Sequence, residues 1–429
     1  MTGTLKSATL WDKVVAGAAL LALAMAVATP TFAKEKKQAT AAPAPSDSSK
    51  PSMKQILDGL DVSKIVWPNP PAIARVRYVS QFYGEKREIQ QNQKKQGWMD
   101  RLAGATVGEA NPNEKLFFQL VRPYGVGVDS KGRVYVADEK VRAVFIYNVE
   151  TKQVELIKNG VQASFKLITG LALDDADKLF VSDSEAKHVL VFNKEHKLEH
   201  SIGESMARPA GMAVDNENRF LYVADSERDQ VLVYDADTYK FLRAIGKPSG
   251  KHDLTEPGSF SRPTNVAVDK DGNLYVADTF NNRIEIFDAD GQFIRAFGKS
   301  GDGPGYMARP KGVGVDADGH VWVTDALQDR VQAFTPEGRL LIYLGGHGTL
   351  PGMFGTVAGL TFDGKNRFYT TEQYPGRLQV FRYITDEEAK AEQLDRDKLA
   401  GGKTGAPAGK EAAQAKPTQQ AKPGSAPPN

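Results

Sequence analysis

Six copies of one pattern occupy the middle of this 429-residue chain and leave few folds open to it. A small-residue position runs through Gly125, Gly170, Gly211, Asn265, Gly312 and Gly359, and only Asn265 breaks the glycine rule. Four residues after each stands an aspartate: Asp129, Asp174, Asp215, Asp269, Asp316 and Asp363. A second acidic position recurs at Asp138, Asp183, Asp225, Asp278, Asp325 and Glu372, at intervals of 45, 42, 53, 47 and 47 residues. Nine residues beyond each of these is an aromatic: Tyr147, Phe192, Tyr234, Phe287, Phe334 and Phe381. A period of this length marks a supersecondary unit that buries its faces only against its own neighbours.

Each unit holds four short segments of alternating apolar character. They are separated by turn sequences such as Lys-Asp-Gly-Asn at 270–273 and Ala-Asp-Gly-Gln at 289–292. One such sheet cannot stand alone, whereas copies arranged radially cover both faces of every sheet. The pattern therefore predicts an all-β, six-bladed β-propeller of four-stranded antiparallel blades over residues 120–384, with the third-strand aromatics packed between blades. The sixth unit lacks a fourth strand, because Arg382-Tyr383-Ile384 runs directly into Asp386-Glu387-Glu388. An open edge invites pairing with other chains. Ala74 to Phe82 is a strand with no blade of its own, and we expect it to close the ring as the outer strand of blade six. Residues 61–119 thus read as a closing strand followed by a short amphipathic helix around Trp98, Met99 and Leu102.

The flanks differ in composition. Lys6 and Lys13, the uncharged run Val14 to Ala28 and the Thr-Phe-Ala at 31–33 read as a signal peptide over 1–33, cleaved before Lys34, with an uncleaved anchor over Val14 to Ala33 as the alternative. Residues 34–60 read as a flexible linker, and 385–429, rich in Ala, Lys, Gln, Gly and Pro, as a disordered tail. No later segment has the length and apolarity to span a membrane, so we expect an exported, monomeric propeller in the periplasm or outside the cell, without an integral span after cleavage. The chain has no cysteine, which excludes disulfides, thiolate metal sites, lipoprotein anchoring and covalent haem attachment. A formal net charge of +2 argues against bulk electrostatic capture of nucleic acid.

The first unit reads RPYGVGVDSKGRVYVADEKVRAVFIYN from Arg122, and the fourth RPTNVAVDKDGNLYVADTFNNRIEIFD from Arg262. This Arg-Pro-x-Gly-Val-x-Val-Asp, Tyr-Val-Ala-Asp, Asn-Arg-Ile-x-x-Phe succession resembles the NHL repeat of exported bacterial proteins. The connectors at 257–260, 303–306 and 351–354 are similar to that family's Gly-Pro-Gly-x-Phe. The resemblance departs in blade two, where Leu167-Ile168-Thr169 replaces Arg-Pro-x, and in blade six, where Glu372 replaces Asp. It implies the propeller fold and leaves function open, since such repeats serve scaffolds, receptor ectodomains, RNA-binding modules and amidating lyases.

The connectors entering the inner strands are expected on one face, around the central channel. That places Arg122, Arg208, Arg262 and Arg309 on one rim beside the second acidic positions. Free guanidiniums there would capture carboxylates or phosphates, but the joint recurrence of Arg and Asp favours each Arg fixing its loop through an Asp or a carbonyl. Asn265 either offers a polar side chain to the channel or is a satisfied buried amide, and Tyr124, Phe280 and Tyr374 offer an aromatic wall. The similarity to amidating lyases implies a zinc held by histidines. His196, His200 and His320 fall on the opposite face, leaving only His188, His252 and His347. The similarity to gluconolactonase-like propellers implies a divalent cation, for which only Asn265 and Glu372 break the repeat suitably. No nucleophile elbow or phosphate-binding loop occurs. No catalytic set, metal or cofactor is therefore expected. The binding candidates are Arg122, Tyr124, Arg208, Arg262, Asn265, Phe280 and Arg309. The function expected is non-enzymatic docking of an envelope protein or peptide on the loop-rich face, with a metal-assisted hydrolase or lyase as the alternative.

Overall fold

In the computed structural model each repeat folds as one blade, its four strands running in sequence order from the axis outward. The described residues are 60–85, 118–203, 205–248 and 256–401. The expected signal peptide, nearly all of the linker, the helix around Trp98, and His252 lie outside them. Blades one to five span residues 123–158, 168–202, 209–245, 263–297 and 310–345, and the sixth contributes 357–383. All pairings are antiparallel.

Both acidic positions of the repeat bind main-chain N–H groups, and several of them side-chain donors as well. The first closes the hairpin between inner and second strands: Asp129 accepts from Lys131 and Arg133, Asp269 from Asp271 and Asn273, and Asp363 from Lys365 and Arg367, all at 2.8–3.0 Å. The second ends the second strand opposite a residue that in four blades is proline and has no N–H to pair: Pro123, Pro209, Pro263 and Pro310. A register shift follows at once. There the carboxylate turns to the connector, Asp138 accepting from Val121 and Arg122 at 2.7 and 2.9 Å, and Asp225 from Ala207 and Arg208 at 2.6 and 2.9 Å. These aspartates are fully buried, so their value lies in satisfying donors that burial would otherwise orphan.

Around the axis the inner strands approach to backbone contact. A Cβ on Gly170 would lie 2.1 Å from the carbonyl oxygen of Ala210 in the next blade, and one on Gly359 2.3 Å from that of Tyr124. Hydroxyls strap neighbouring blades together, and three of them share one pattern. Ser182, Thr324 and Thr371 each accept from a glycine N–H of their own blade and donate to the next blade's inner strand, at Ala210, Ala358 and Tyr124. The six third-strand aromatics are at most 3% exposed and lie in apolar clusters, several of them, such as Tyr147 and Tyr234, between adjacent blades.

The ring closes as expected. Val76–Phe82 pairs with the third strand of blade six, with Val76 opposite Tyr383, Tyr78 opposite Phe381 and Phe82 opposite Leu378. Val66–Trp67 adds a fifth strand outside it. Val76 and Tyr78 are buried, each contributing about 1.5–3 kcal/mol from the apolar area removed from water.

The tail departs from expectation. Residues 385–429 were expected to be disordered, yet Asp386–Gly401 forms an α-helix, α1. Thr385 and Glu388 make the reciprocal bonds of a capping box, each 3.3 Å. Three acids in the first turn complement the helix dipole. α1 packs Ala389 against Val66, Ala74 and Ile384, and Arg77 reaches Glu392 at 3.2 Å, so it covers the closure.

Two outcomes test this account. Deleting residues 73–84, which hold the closing strand, should replace single cooperative unfolding by a broad, low-temperature transition; a truncated chain that melts like the intact one would overturn the closure. Asp225→Ala, which orphans buried connector donors, should lower stability by about 3 kcal/mol in urea unfolding. A loss under about 0.5 kcal/mol, as for an ordinary surface change, would contradict the role given to this position.

Candidate functional site: a basic mouth on the propeller

In the connector Arg-Pro-x-Gly, proline begins the inner strand and the x residue stands at the head of the channel. Around the ring these are Tyr124, Thr169, Ala210, Thr264, Lys311 and Ala358. All but Ala358 line one cleft of about 240 Å³, together with Arg208, Arg262, Arg309, Phe280, Glu139 and several small side chains. Four cationic side chains (Arg208, Arg262, Arg309 and Lys311) face one carboxylate, Glu139, a formal excess of three positive charges.

The expected Arg–Asp pairs do not form at this rim. Asp225 holds the main-chain N–H of Arg208, and Asp325 that of Arg309, rather than their guanidiniums. Asp278 binds the N–H of Ser261 at 2.7 Å, while Arg262, in a left-handed conformation with φ 50°, gives its N–H to Asp229 at 2.8 Å. The physical reason is accounting: buried connector donors claim the carboxylates first, and the long arginine side chains are left to reach solvent. Among the described residues neither Arg208 nor Arg262 has an ion-pair partner, and both are exposed. Arg309 lies 5.7 Å over the ring of Phe280, and Lys311 4.9 Å over that of Tyr124. Arg122 is outside the cleft lining and pairs with Glu139 at 3.0 Å.

Five of the seven binding candidates thus converge: Tyr124, Arg208, Arg262, Phe280 and Arg309. Asn265 lines a separate channel formed by the inner strands. Its Oδ1 accepts from the N–H of Val266 at 2.8 Å, and its side chain fills the space beside Gly211. Tyr374 is exposed and lies outside the cleft lining. Two charged residues of the mouth were not among the sequence candidates, Glu139 and Lys311. The signal for both was positional: Glu139 follows the second acidic position of blade one, and Lys311 is the charged member of the x ring. Burial pushes the Glu139 carboxyl up, against the pull of Arg122 and Lys311. It draws the Lys311 ammonium down, helped by Arg309 and Arg122 and opposed by Glu139.

The described residues, which do not include His252, form no zinc or other divalent centre. Among the described residues no three His, Asp or Glu side chains group as metal ligands. His196 bonds the Tyr135 hydroxyl, His200 stacks on Tyr239, His320 pairs with Asp316 and His347 with Asp329. Glu372 is fully buried in contact with Arg377 and Gln379, and it accepts from the Gly355 N–H at 3.0 Å. Its role is therefore structural: it holds the buried guanidinium of Arg377, as Asp278 holds that of Arg283 in blade four.

Two family models match the chain. The SMP-30/gluconolactonase/LRE-like region matches residues 182–301, and a 6-bladed beta-propeller model matches 255–399. A probable peptidyl-alpha-hydroxyglycine alpha-amidating lyase of Caenorhabditis elegans is 33% identical over 103 residues, which are 24% of this chain and 29% of that protein. A structural-genomics protein of unknown function from Bacteroides thetaiotaomicron superposes with a TM-score of 0.50 at 17% identity, over 64% of this chain and 72% of the other. Virginiamycin B lyase from Staphylococcus aureus gives 0.45 at 14% identity, over 62% and 96%. The solved structures speak to fold alone. The chain is a six-bladed β-propeller, and within it residues 182–301 are similar to the SMP-30/gluconolactonase/LRE-like region.

Proposed function

We propose that this protein is a non-enzymatic binding module of the bacterial cell envelope that docks an acidic segment of a partner protein or peptide in the basic mouth. The observation that carries the proposal is the pair of exposed guanidiniums, Arg208 and Arg262, whose main chains are clamped by Asp225 and Asp229 while their forks have no ion-pair partner among the described residues. A clamped backbone limits the entropy lost on binding, and a planar fork suits a carboxylate. Phe280, about half exposed, adds an apolar contact beside the charges.

The test is fluorescence anisotropy with a labelled oligoglutamate peptide. Arg208→Ala combined with Arg262→Ala should weaken binding by more than about tenfold, the scale of one charge-assisted hydrogen bond. Binding by the native protein should also fall with added salt. Unchanged affinity in the double variant would remove the mouth as the interface, and cross-linking in intact envelopes would then have to locate another.

A metal-assisted hydrolase or lyase at the channel mouth is the second reading, supported by the similarity to the amidating lyase. It requires a ligand set that the described residues do not group. Elemental analysis of purified protein, with zinc and calcium titrations followed by melting temperature, separates the two. The binding module predicts no stoichiometric metal and no shift. One equivalent of tightly held metal would favour the enzyme.

A further inference from the structure

Lys311 is the member of the mouth that simple anion capture leaves unexplained. The exposed arginines at the rim suffice to attract an acidic ligand, yet this lysine stands on the inner strand at the cleft floor, directly after the proline that begins it. Among the described residues its ammonium has no ion-pair partner. Its charge rests over the face of Tyr124, within the field of Arg309 of its own blade and Arg122 of blade one. A lysine in such company has two features of a nucleophile: partial desolvation and neighbouring cations, both of which favour the neutral amine. Leu167 and Ala210 make part of the lining apolar, and the about 240 Å³ volume admits a small organic molecule.

We propose that Lys311 is a covalent docking point for small anionic carbonyl compounds, its amine forming an imine with an aldehyde or α-keto acid whose carboxylate is held by Arg208, Arg262 and Arg309. The inference rests on the anion-binding reading of the mouth and names a ligand class for it. The neutral amine attacks the carbonyl carbon, a C–N bond forms, and the π electrons move to oxygen. The resulting carbinolamine loses its oxygen as water, the nitrogen supplying electrons and shedding protons. Carbonyl compound and lysine ammonium thus become a protonated imine and water, with no oxidation or reduction. The departing oxygen leaves as water, taking its protons from the attacking nitrogen and from solvent in the open cleft. Reversal of the same steps releases the ligand unchanged, so the chemistry is capture rather than turnover.

The test traps the imine. The full chain is incubated with glyoxylate and sodium cyanoborohydride, whose hydride converts the imine to a stable secondary amine, and modified lysines are mapped by peptide mass spectrometry. Lys311 should be modified at least about tenfold faster than the exposed Lys131 and Lys152, as expected for an amine activated by desolvation and neighbouring cations. Lys311→Arg, checked by its melting curve, should abolish the fast phase. Arg208→Ala with Arg262→Ala should slow modification by glyoxylate while leaving modification by the neutral propionaldehyde unchanged. If Lys311 reacts no faster than Lys131 while oligoglutamate still binds, the covalent site falls and the anion-binding mouth stands. If glyoxylate and propionaldehyde modify Lys311 equally fast, the anionic ligand class is overturned, and the arginines lose the role given to them.

Discussion

The approach of the inner strands around the axis is the constraint on which the rest of the molecule depends. Six sheets can share one axis only if each inner strand is thin where it meets the next, and at Gly170 and Gly359 a single added carbon would collide with a neighbouring carbonyl. The hydroxyls of Ser182, Thr324 and Thr371 turn that closeness into hydrogen bonds between blades. The same crowding leaves a channel lined mostly by glycine and aliphatic side chains, with Asn265 leaning onto Gly211. Chemistry is thereby displaced from the axis to the heads of the strands, where the x residues and connector arginines have room.

The acidic repeat positions show how a scaffold can resemble a site. A ring of buried carboxylates beside a ring of arginines suggests ion pairs or metal ligands until main-chain donors are counted. The first aspartates fold hairpins, and the second hold connectors at the register shift after proline. Burial makes those main-chain bonds obligatory, whereas a guanidinium at the rim is hydrated either way. The carboxylates therefore serve the backbone, and Arg208 and Arg262 remain available to a ligand.

This division also explains what could be read from sequence. The blades were legible because each register position answers to a local need: glycine at the close approach, aspartate at the turn, an aromatic between sheets. The missing strand of blade six was legible because an unpaired edge must be covered, and Ala74 to Phe82 had no other place. α1 was missed because the composition of 385–429 was averaged over its whole length, which hid the Thr385–Glu388 capping box and the acidic first turn. The convergence of Tyr124, Arg208, Arg262, Phe280 and Arg309 followed from their shared register. Lys311 and Glu139 did not, because attention to departures from the repeat favoured Asn265 and Glu372, which the structure shows filling space and satisfying a buried arginine.

A regular ring thus acquires an irregular site through the positions its regularity does not use. The x ring reads Tyr, Thr, Ala, Thr, Lys, Ala, and neither the hairpin carboxylates nor the connector clamps depend on which side chain stands there. Three consecutive blades, three to five, supply Arg208, Arg262, Arg309 and Lys311, while blade one supplies Glu139 and Tyr124. Blade six, whose sheet is completed by Val76–Phe82, offers only Ala358. The mouth is therefore polarised across its diameter, with three exposed guanidiniums on one side and one half-buried carboxylate, already paired with Arg122, on the other. A ligand entering it meets an oriented field rather than a symmetric one. That orientation would place an acidic group against blades three to five and its uncharged remainder toward Tyr124.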